Sequence, residues 1–454
     1  MPYQSFNPWL QKRDAVFPEM SDAELAGILD ESERLFRQWR RINVADRCSR
    51  LTIMSTILQS RRSELAEMMA VEMGKPVTQG MAEIDKCALL CRWYAEKAPE
   101  ILRPERRASA ARESHIFYEP QGIILGIMPW NFPFWQVFRF IIPALTGGNA
   151  GLLKHASNVP RCALAAEEII NASGYPAGLF RTLFPSHSQV ALLISDRRIR
   201  GVSLTGSNIA GKKIAAAAGE SLRKMVMELG GSDPFIVFPD AQIDRAVEAA
   251  LAGRFQNGGQ SCIAAKRIIV HHDIYGEFRE KYLAGAKALR TGDPLDPSTE
   301  VGPMVSAAAA DELERQLDET ISAGALLLCG GRAGKEYPAL FYPAVVEKVP
   351  LTSPLACEET FGPVAPLFTF STADEAVELA NSTPFGLGAT LWTADERLAM
   401  NMAHEIDTGT VAVNGYVKTE PGLPFGGVRE SGYGRELGVE GLREFMNIKT
   451  VNIF

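Results

Sequence analysis

Gly122-Ile-Ile-Leu-Gly-Ile-Met-Pro-Trp-Asn-Phe-Pro133, followed by Ala150-Gly-Leu-Leu-Lys154, is the stretch that decides the fold. Ile123–Met128 and Ala150–Lys154 are short apolar runs, each ended by a polar or turn-forming residue, and read as strands buried on both faces. Working outward, a helical pattern covers about 160–173, and strand-like runs recur at 179–184, 201–204 and 224–228, with a helix opening after Gly206. A second series begins at Pro234–Phe238. It continues with helices near 243–255, 273–290 and 373–381 and strands at 267–271, 325–329 and 365–370. Strands and helices in alternation predict an α/β fold with parallel sheets covered on both faces.

Upstream, Ser21-Asp-Ala-Glu24 is a capping box that opens a helix to about Arg41. A second helix is expected from Ala45 through the mid-60s, and a third over about 80–98 with Cys87, Cys91 and Trp93 at helical spacing. Residues 99–114 read as a connection, 115–118 as an exposed strand, and 442–454 as a short helix plus an edge strand. At 454 residues the chain exceeds one simple core, so two or three domains are expected. A net charge of −7 gives no electrostatic support for nucleic-acid binding. The apolar stretch 122–146 is interrupted by prolines, Asn131 and Arg139, which argues against a membrane span. Seven scattered cysteines and no visible export signal suggest a reducing, cytoplasmic setting. Cys87 and Cys91 lack a second Cys/His pair, so no metal site is expected there.

The chemistry concentrates on turns. Phe255-Gln-Asn-Gly-Gly-Gln-Ser-Cys262 ends in a thiol after paired glycines, and Met227-Glu-Leu-Gly-Gly231 sets a carboxylate at a strand end before another pair. A nucleophile and a base sharing one cleft is the reading these turns suggest. Pro129-Trp-Asn-Phe-Pro133 brackets an amide that suits a developing oxyanion, or is a plain turn with a buried Trp130. Gly206-Ser-Asn-Ile-Ala-Gly211 is either an ordinary strand-to-helix turn or a phosphate cradle at a helix N-terminus. Lys154 ends a strand where parallel sheets bind ligands, and Glu359-Thr-Phe-Gly-Pro363 adds an acid and an aromatic on a further turn.

PWNFP, LLK, TGS, ELGG, GQSC, ETFGP and PFGG occur here in the order and approximate spacing of one family. From about residue 15 to the C-terminus the chain resembles the NAD(P)-dependent aldehyde dehydrogenases, and within them most the bacterial succinate-semialdehyde dehydrogenases. The resemblance implies two Rossmann-like parallel-sheet domains: a dinucleotide-binding domain of residues 1–108 and 120–230, and a catalytic domain of residues 231–430. Small oligomerisation segments at 109–119 and 431–454 are implied too, with a homodimer or homotetramer as the assembly. It implies Cys262 as nucleophile, Asn131 with the Cys262 N–H as oxyanion donors, and Glu228 as the base for a hydrolytic water. Lys154 and Glu359 would grip the riboses of NAD or NADP, with Trp130, Asn131, His155, Ala156, Ser157, Gly206, Ser207, Leu229 and Phe361 also at the cofactor.

NAD-selective relatives often carry Glu where Ser157 stands, three residues after Lys154. Serine does not repel a 2′-phosphate and Lys154 or His155 would help neutralise it, so acceptance of both cofactors is expected. Arg139, eight residues after Asn131, matches the arginine that takes the distal carboxylate in semialdehyde dehydrogenases. The pattern departs at Gln256, where those relatives have a second arginine, and at Glu420, which stands in place of a serine before PFGG. The expected partner is therefore a small aldehyde, succinate semialdehyde or one similar. A broad aliphatic or aromatic aldehyde dehydrogenase, a CoA-acylating variant and a non-catalytic relative are the alternatives.

Overall fold

The computed structural model describes residues 3–454; residues 1 and 2, which begin the first expected domain, lie outside the described residues. Two parallel sheets form the frame. The first has six strands in the order Gly432–Tyr433, Lys224–Glu228, Ile199–Thr205, Ile123–Met128, Ala150–His155 and Phe180–Leu183. The second has seven, in the order Leu326–Arg332, Phe341–Glu347, Val364–Phe370, Ala265–His271, Asp233–Val237, Gly388–Trp392 and Thr410–Val413. Each sheet is parallel except at one edge, where Gly432–Tyr433 and Leu326–Arg332 run antiparallel to their neighbours. The antiparallel edge at 326–332 follows from its short return to Phe341, which leaves no room for a crossover helix.

The strand runs are as apolar as double burial requires: Ile123, Ile124, Leu125, Leu152, Leu153, Ile236 and Val270 are all fully buried. The capping box is present, with Ser21 accepting from the Glu24 N–H at the head of Asp22–Trp39. The second expected helix is two, Val44–Ser60 and Arg62–Met73. Arg61 leaves helical geometry between them and pairs with Glu64 and Glu168. The third runs longer than expected, Val77–Ile101, and buries Cys87 and Cys91 completely. Within the expected connection lies the strand Glu105–Arg107; with Glu113–Pro120 and Met446–Ile453 it makes a three-stranded sheet.

Elements beyond the sequence expectation include the hairpin Tyr3–Asn7 with Lys12–Phe17 and the helices His187–Ser195, Ala307–Ser322 and Glu396–Glu405. Residues 425–445 return to the first sheet: Gly432 pairs with Glu228, while Phe425, Leu437, Leu442 and Phe445 join the core around Ile123–Met128. That return puts the end of the chain behind the candidate acid.

Candidate active site

In the first sheet the sequence motifs land at the carboxyl end of a parallel strand or on the turn after it, where sheets of this kind open a crevice. Asn131 follows Ile123–Met128, Lys154 lies near the end of Ala150–His155, Gly206 follows Ile199–Thr205, and Glu228 ends Lys224–Glu228. Cys262 comes from the other sheet, between the helix Ile243–Phe255 and the central strand Ala265–His271.

The turn before Cys262 is built from three consecutive left-handed residues: Asn257 (φ 55°), Gly258 (φ 61°) and Gly259 (φ 70°). A side chain at Gly259 would lie 2.4 Å from the Gly362 carbonyl oxygen, and one at Gly231 would lie 2.5 Å from the carbonyl oxygen of Cys262. The glycines thus let the three loops carrying Cys262, Glu228 and Glu359 touch through bare backbone. Asn257 holds its rare conformation by donating from Nδ2 to the carbonyls of Asn131 (2.8 Å) and Gln260 (3.1 Å).

Asn131 is pinned from both sides. Its Oδ1 accepts from Gln136 Nε2 at 2.9 Å, which fixes which end of the amide is the donor, and its Nδ2 donates to the Gln260 carbonyl at 3.0 Å. An amide nitrogen has two hydrogens, so one remains for an oxyanion.

Two cavities meet at Cys262. One, about 290 Å³, is lined by Trp130, Asn131, Thr205, Gly206, Ser207, Leu229, Glu359 and Phe361. The other, about 350 Å³, is lined by Phe132, Trp135, Arg139, Phe425, Lys86 and Lys418 among others. Cys262 and Gln136 belong to both walls. Burial pushes the Cys262 thiol up to about 12, opposed by Lys266 and Arg139, so it is protonated at neutral pH in this arrangement. Glu228 is 1% exposed and neither carboxylate oxygen has a hydrogen-bond partner among the described residues. Burial drives its carboxyl far above the ordinary range against the pull of Arg139. The side chain lies beside Gly426 and lines neither cavity.

The first cavity has the fittings of a dinucleotide site. Ser207 caps the helix Asn208–Glu220 at the wall of the cavity, so the helix's N-terminal end and its dipole lie there, an arrangement that suits a phosphate. Lys154 is half-buried and makes no hydrogen bond or ion pair among the described residues, its nearest aromatic being Tyr3 at 5.9 Å. Trp130 and Phe361 meet edge-to-face at 5.7 Å. Ser157 and Ala156 are half-buried beyond Lys154. Glu359 is already engaged: its Oε1 accepts from the Gly231 N–H (3.1 Å) and pairs with Lys266 (2.7 Å), leaving Oε2 for a hydroxyl.

Two expectations are corrected. His155 does not stand beside Lys154 as a neutralising group. It is fully buried, held at about 4 by burial, and its Nε2 donates to the Pro133 carbonyl while Nδ1 accepts from the Ala156 N–H. The imidazole therefore braces the Pro129–Pro133 turn from below. Arg139 does line the second cavity, but its guanidinium is not free. It is 3% exposed, ion-paired with the buried Glu436, bonded to the Thr205 hydroxyl (3.3 Å) and stacked over Phe425.

Sequence reasoning missed three residues. Lys266, buried, donates to the Gly231 and Cys262 carbonyls and to Glu359, tying both catalytic turns together. Its signal was a pair of cations, Lys266 and Arg267, at the head of a strand whose middle is apolar. Glu436 and Lys86 gave no local signal. The hydroxyl expected to be lost to Glu420 is supplied by the buried Thr419, while Glu420 is exposed.

Residues 1–451 match the aldehyde dehydrogenase family, and the chain belongs to it. It is 45% identical over 452 residues to a probable succinate-semialdehyde dehydrogenase [NADP(+)] of Synechocystis sp., covering 99% of both chains. A succinate-semialdehyde dehydrogenase [NADP(+)] 1 of Mycobacterium bovis is likewise 45% identical over 455 residues, again with 99% of each chain covered. Among solved structures, succinic semialdehyde dehydrogenase from Streptococcus pyogenes in complex with NADP+ superposes with a TM-score of 0.97 at 36% identity, covering 99% of each chain. Among the described residues, no helix is long and apolar enough to cross a membrane.

Proposed function

We propose that this aldehyde dehydrogenase oxidises succinate semialdehyde to succinate with NADP, and accepts NAD as well. The observation that carries the reading is that one thiol, Cys262, forms part of the wall of both a cavity with a helix N-terminus and Glu359 at its edge and a cavity holding cationic side chains. The names of the relatives point the same way.

The Cys262 sulfur, once ionised, attacks the aldehyde carbon, and the new oxyanion is held by the free Asn131 N–H and the Cys262 backbone N–H. When bound, the dinucleotide supplies the two-electron acceptor for the aldehyde C–H. Lys154, Ser207 and Glu359 Oε2 are the groups that would hold it, and Ser157 carries no charge to repel a 2′-phosphate. The acyl group then left on Cys262 is a thioester. Glu228 takes a proton from water as that water attacks the acyl carbon, the carbon–sulfur bond breaks and the thiolate leaves. An acid whose carboxyl sits so high is a strong base once ionised, but from its position beside Gly426 it must swing toward Cys262 to act. Its presence favours hydrolysis over acyl transfer to CoA.

The seven cysteines carry no disulfide and fit a reducing, cytoplasmic setting. The sheet of Glu105–Arg107, Glu113–Pro120 and Met446–Ile453, with Ile448 63% exposed, is the surface we assign to a homodimer or homotetramer. An aldehyde panel read by reduced-cofactor absorbance, run with each dinucleotide, tests the activity. Equal kcat/KM for succinate semialdehyde, butanal and benzaldehyde makes the enzyme a broad aldehyde dehydrogenase instead.

A further inference from the structure

Arg139 is buried and already ion-paired, which leaves open what receives a substrate carboxylate. Its charge is balanced by Glu436 across a buried contact, one Nη donates to the Thr205 hydroxyl, and the guanidinium lies over the Phe425 ring. The other charged groups of the same cavity are Glu83, Lys418, Lys86 and the exposed carboxylate Glu420, and they differ sharply. Glu83 is an anion fully engaged by Lys75 and by the N–H groups of Phe134 (2.9 Å) and Trp135 (2.8 Å). Lys418 is exposed and lies over Tyr416.

Lys86 is half-buried in the wall, and the two groups in direct contact with its ammonium are both neutral: the Thr419 hydroxyl oxygen, to which it donates, and the face of Trp135 at 4.2 Å. No carboxylate pairs with it among the described residues. A desolvated ammonium bounded by a hydroxyl and an indole face has donor capacity left, and an anion arriving there meets a cation with no ion-pair partner among the described residues, Glu83 and Glu420 acting on it only from a distance.

We infer that Lys86, not Arg139, receives the carboxylate at the far end of the substrate, with the Thr419 hydroxyl as its companion. This rests on the reading of a carboxylate-bearing aldehyde given above. Arg139 becomes a positioning residue, holding Glu436 and Phe425 at the back of the cavity. Burial, reinforced by Arg139, pushes the Lys86 ammonium down to about 8; Cys87, Glu83 and Glu420 are the groups that oppose the shift. Recognition of the carboxylate therefore weakens as pH rises through about 8, when the ammonium loses its proton.

The experiment reads the ratio of kcat/KM for succinate semialdehyde to that for butanal. In Lys86→Met the ratio falls about 10- to 100-fold, mostly through KM, as expected for loss of a hydrogen bond to a charged group. Lys86→Arg keeps most of the ratio and holds it to higher pH. Lys86→Gln, with succinate against butyrate as competing inhibitors of butanal oxidation, gives the same answer if the methionine variant folds poorly. An unchanged ratio in Lys86→Met overturns the assignment, the more plainly if Arg139→Met lowers it; a wild-type ratio well above one then leaves the substrate reading standing. A wild-type ratio near one that still falls in Lys86→Met keeps Lys86 as the carboxylate site and removes succinate semialdehyde as the preferred substrate.

Discussion

The two cavities that share Cys262 are made in different ways. On the dinucleotide side the walls are mostly backbone and locked side chains: the Gly206 N–H on the Glu228 carbonyl at 3.0 Å, the Gly231 N–H on Glu359, and Lys266 across both turns. On the far side the walls are side chains, with Phe132, Trp135, Tyr416 and Phe425 around Lys86 and Arg139. A cofactor common to many enzymes is met by groups that substitution at single positions barely moves. A particular aldehyde is met by groups that a single substitution can change, and Cys262 alone must serve both.

That contrast sets the order of expected effects. Cys262→Ser removes the thiolate from both sides at once and lowers turnover by about 1,000-fold or more, as loss of a covalent nucleophile does. Titration of NADP by fluorescence still shows binding, because the first cavity stands without the sulfur. Retained turnover would sink the proposed chemistry. Glu228→Gln lowers steady-state turnover by about 100- to 10,000-fold, the range of general-base catalysis, yet leaves a rapid burst of up to one reduced cofactor per site. A burst that vanishes along with turnover would move Glu228 to an earlier step.

Asn131→Ala costs about 100- to 1,000-fold in kcat, the usual consequence of losing one oxyanion donor. Losses confined to KM would make the amide a mere spacer. For the wild type, kcat/KM on butanal rises with pH from 6 to beyond 8 because the Cys262 thiol is held high and must lose a proton to attack, and kcat rises as well because the Glu228 carboxyl, also held high, must lose one to act on the thioester. A rate flat over that interval would mean that both groups are reset when the dinucleotide binds. The smallest effect belongs to Ser157→Glu, which shifts preference from NADP toward NAD by about 10- to 100-fold through charge repulsion. An unchanged NADP/NAD ratio would place the 2′-phosphate elsewhere.

Much of this was legible in the chain because it is local. A run such as Ile123–Met128 has to be buried on both faces, and paired glycines before Cys262 or after Glu228 have to let something close approach. The strand ends, the two turns and the amide at Asn131 follow from those constraints. Harder to see were the interruption of the second helix at Arg61 and the antiparallel edge at 326–332, where an ion pair and a short return override periodicity.

By itself, then, the sequence determined the alternation of elements and the identity of the reactive groups, since both depend on residues a few positions apart. Only the tertiary structure decided which charges are free. Arg139 finds Glu436 because residues 425–445 fold back onto the first sheet, and His155 turns inward onto Pro133. Lys86, on a helix far upstream, ends in the cavity with only neutral groups in direct contact. Whether a charge is available to a ligand depends on the sum of all groups packed around it, and that sum is not written in any one segment.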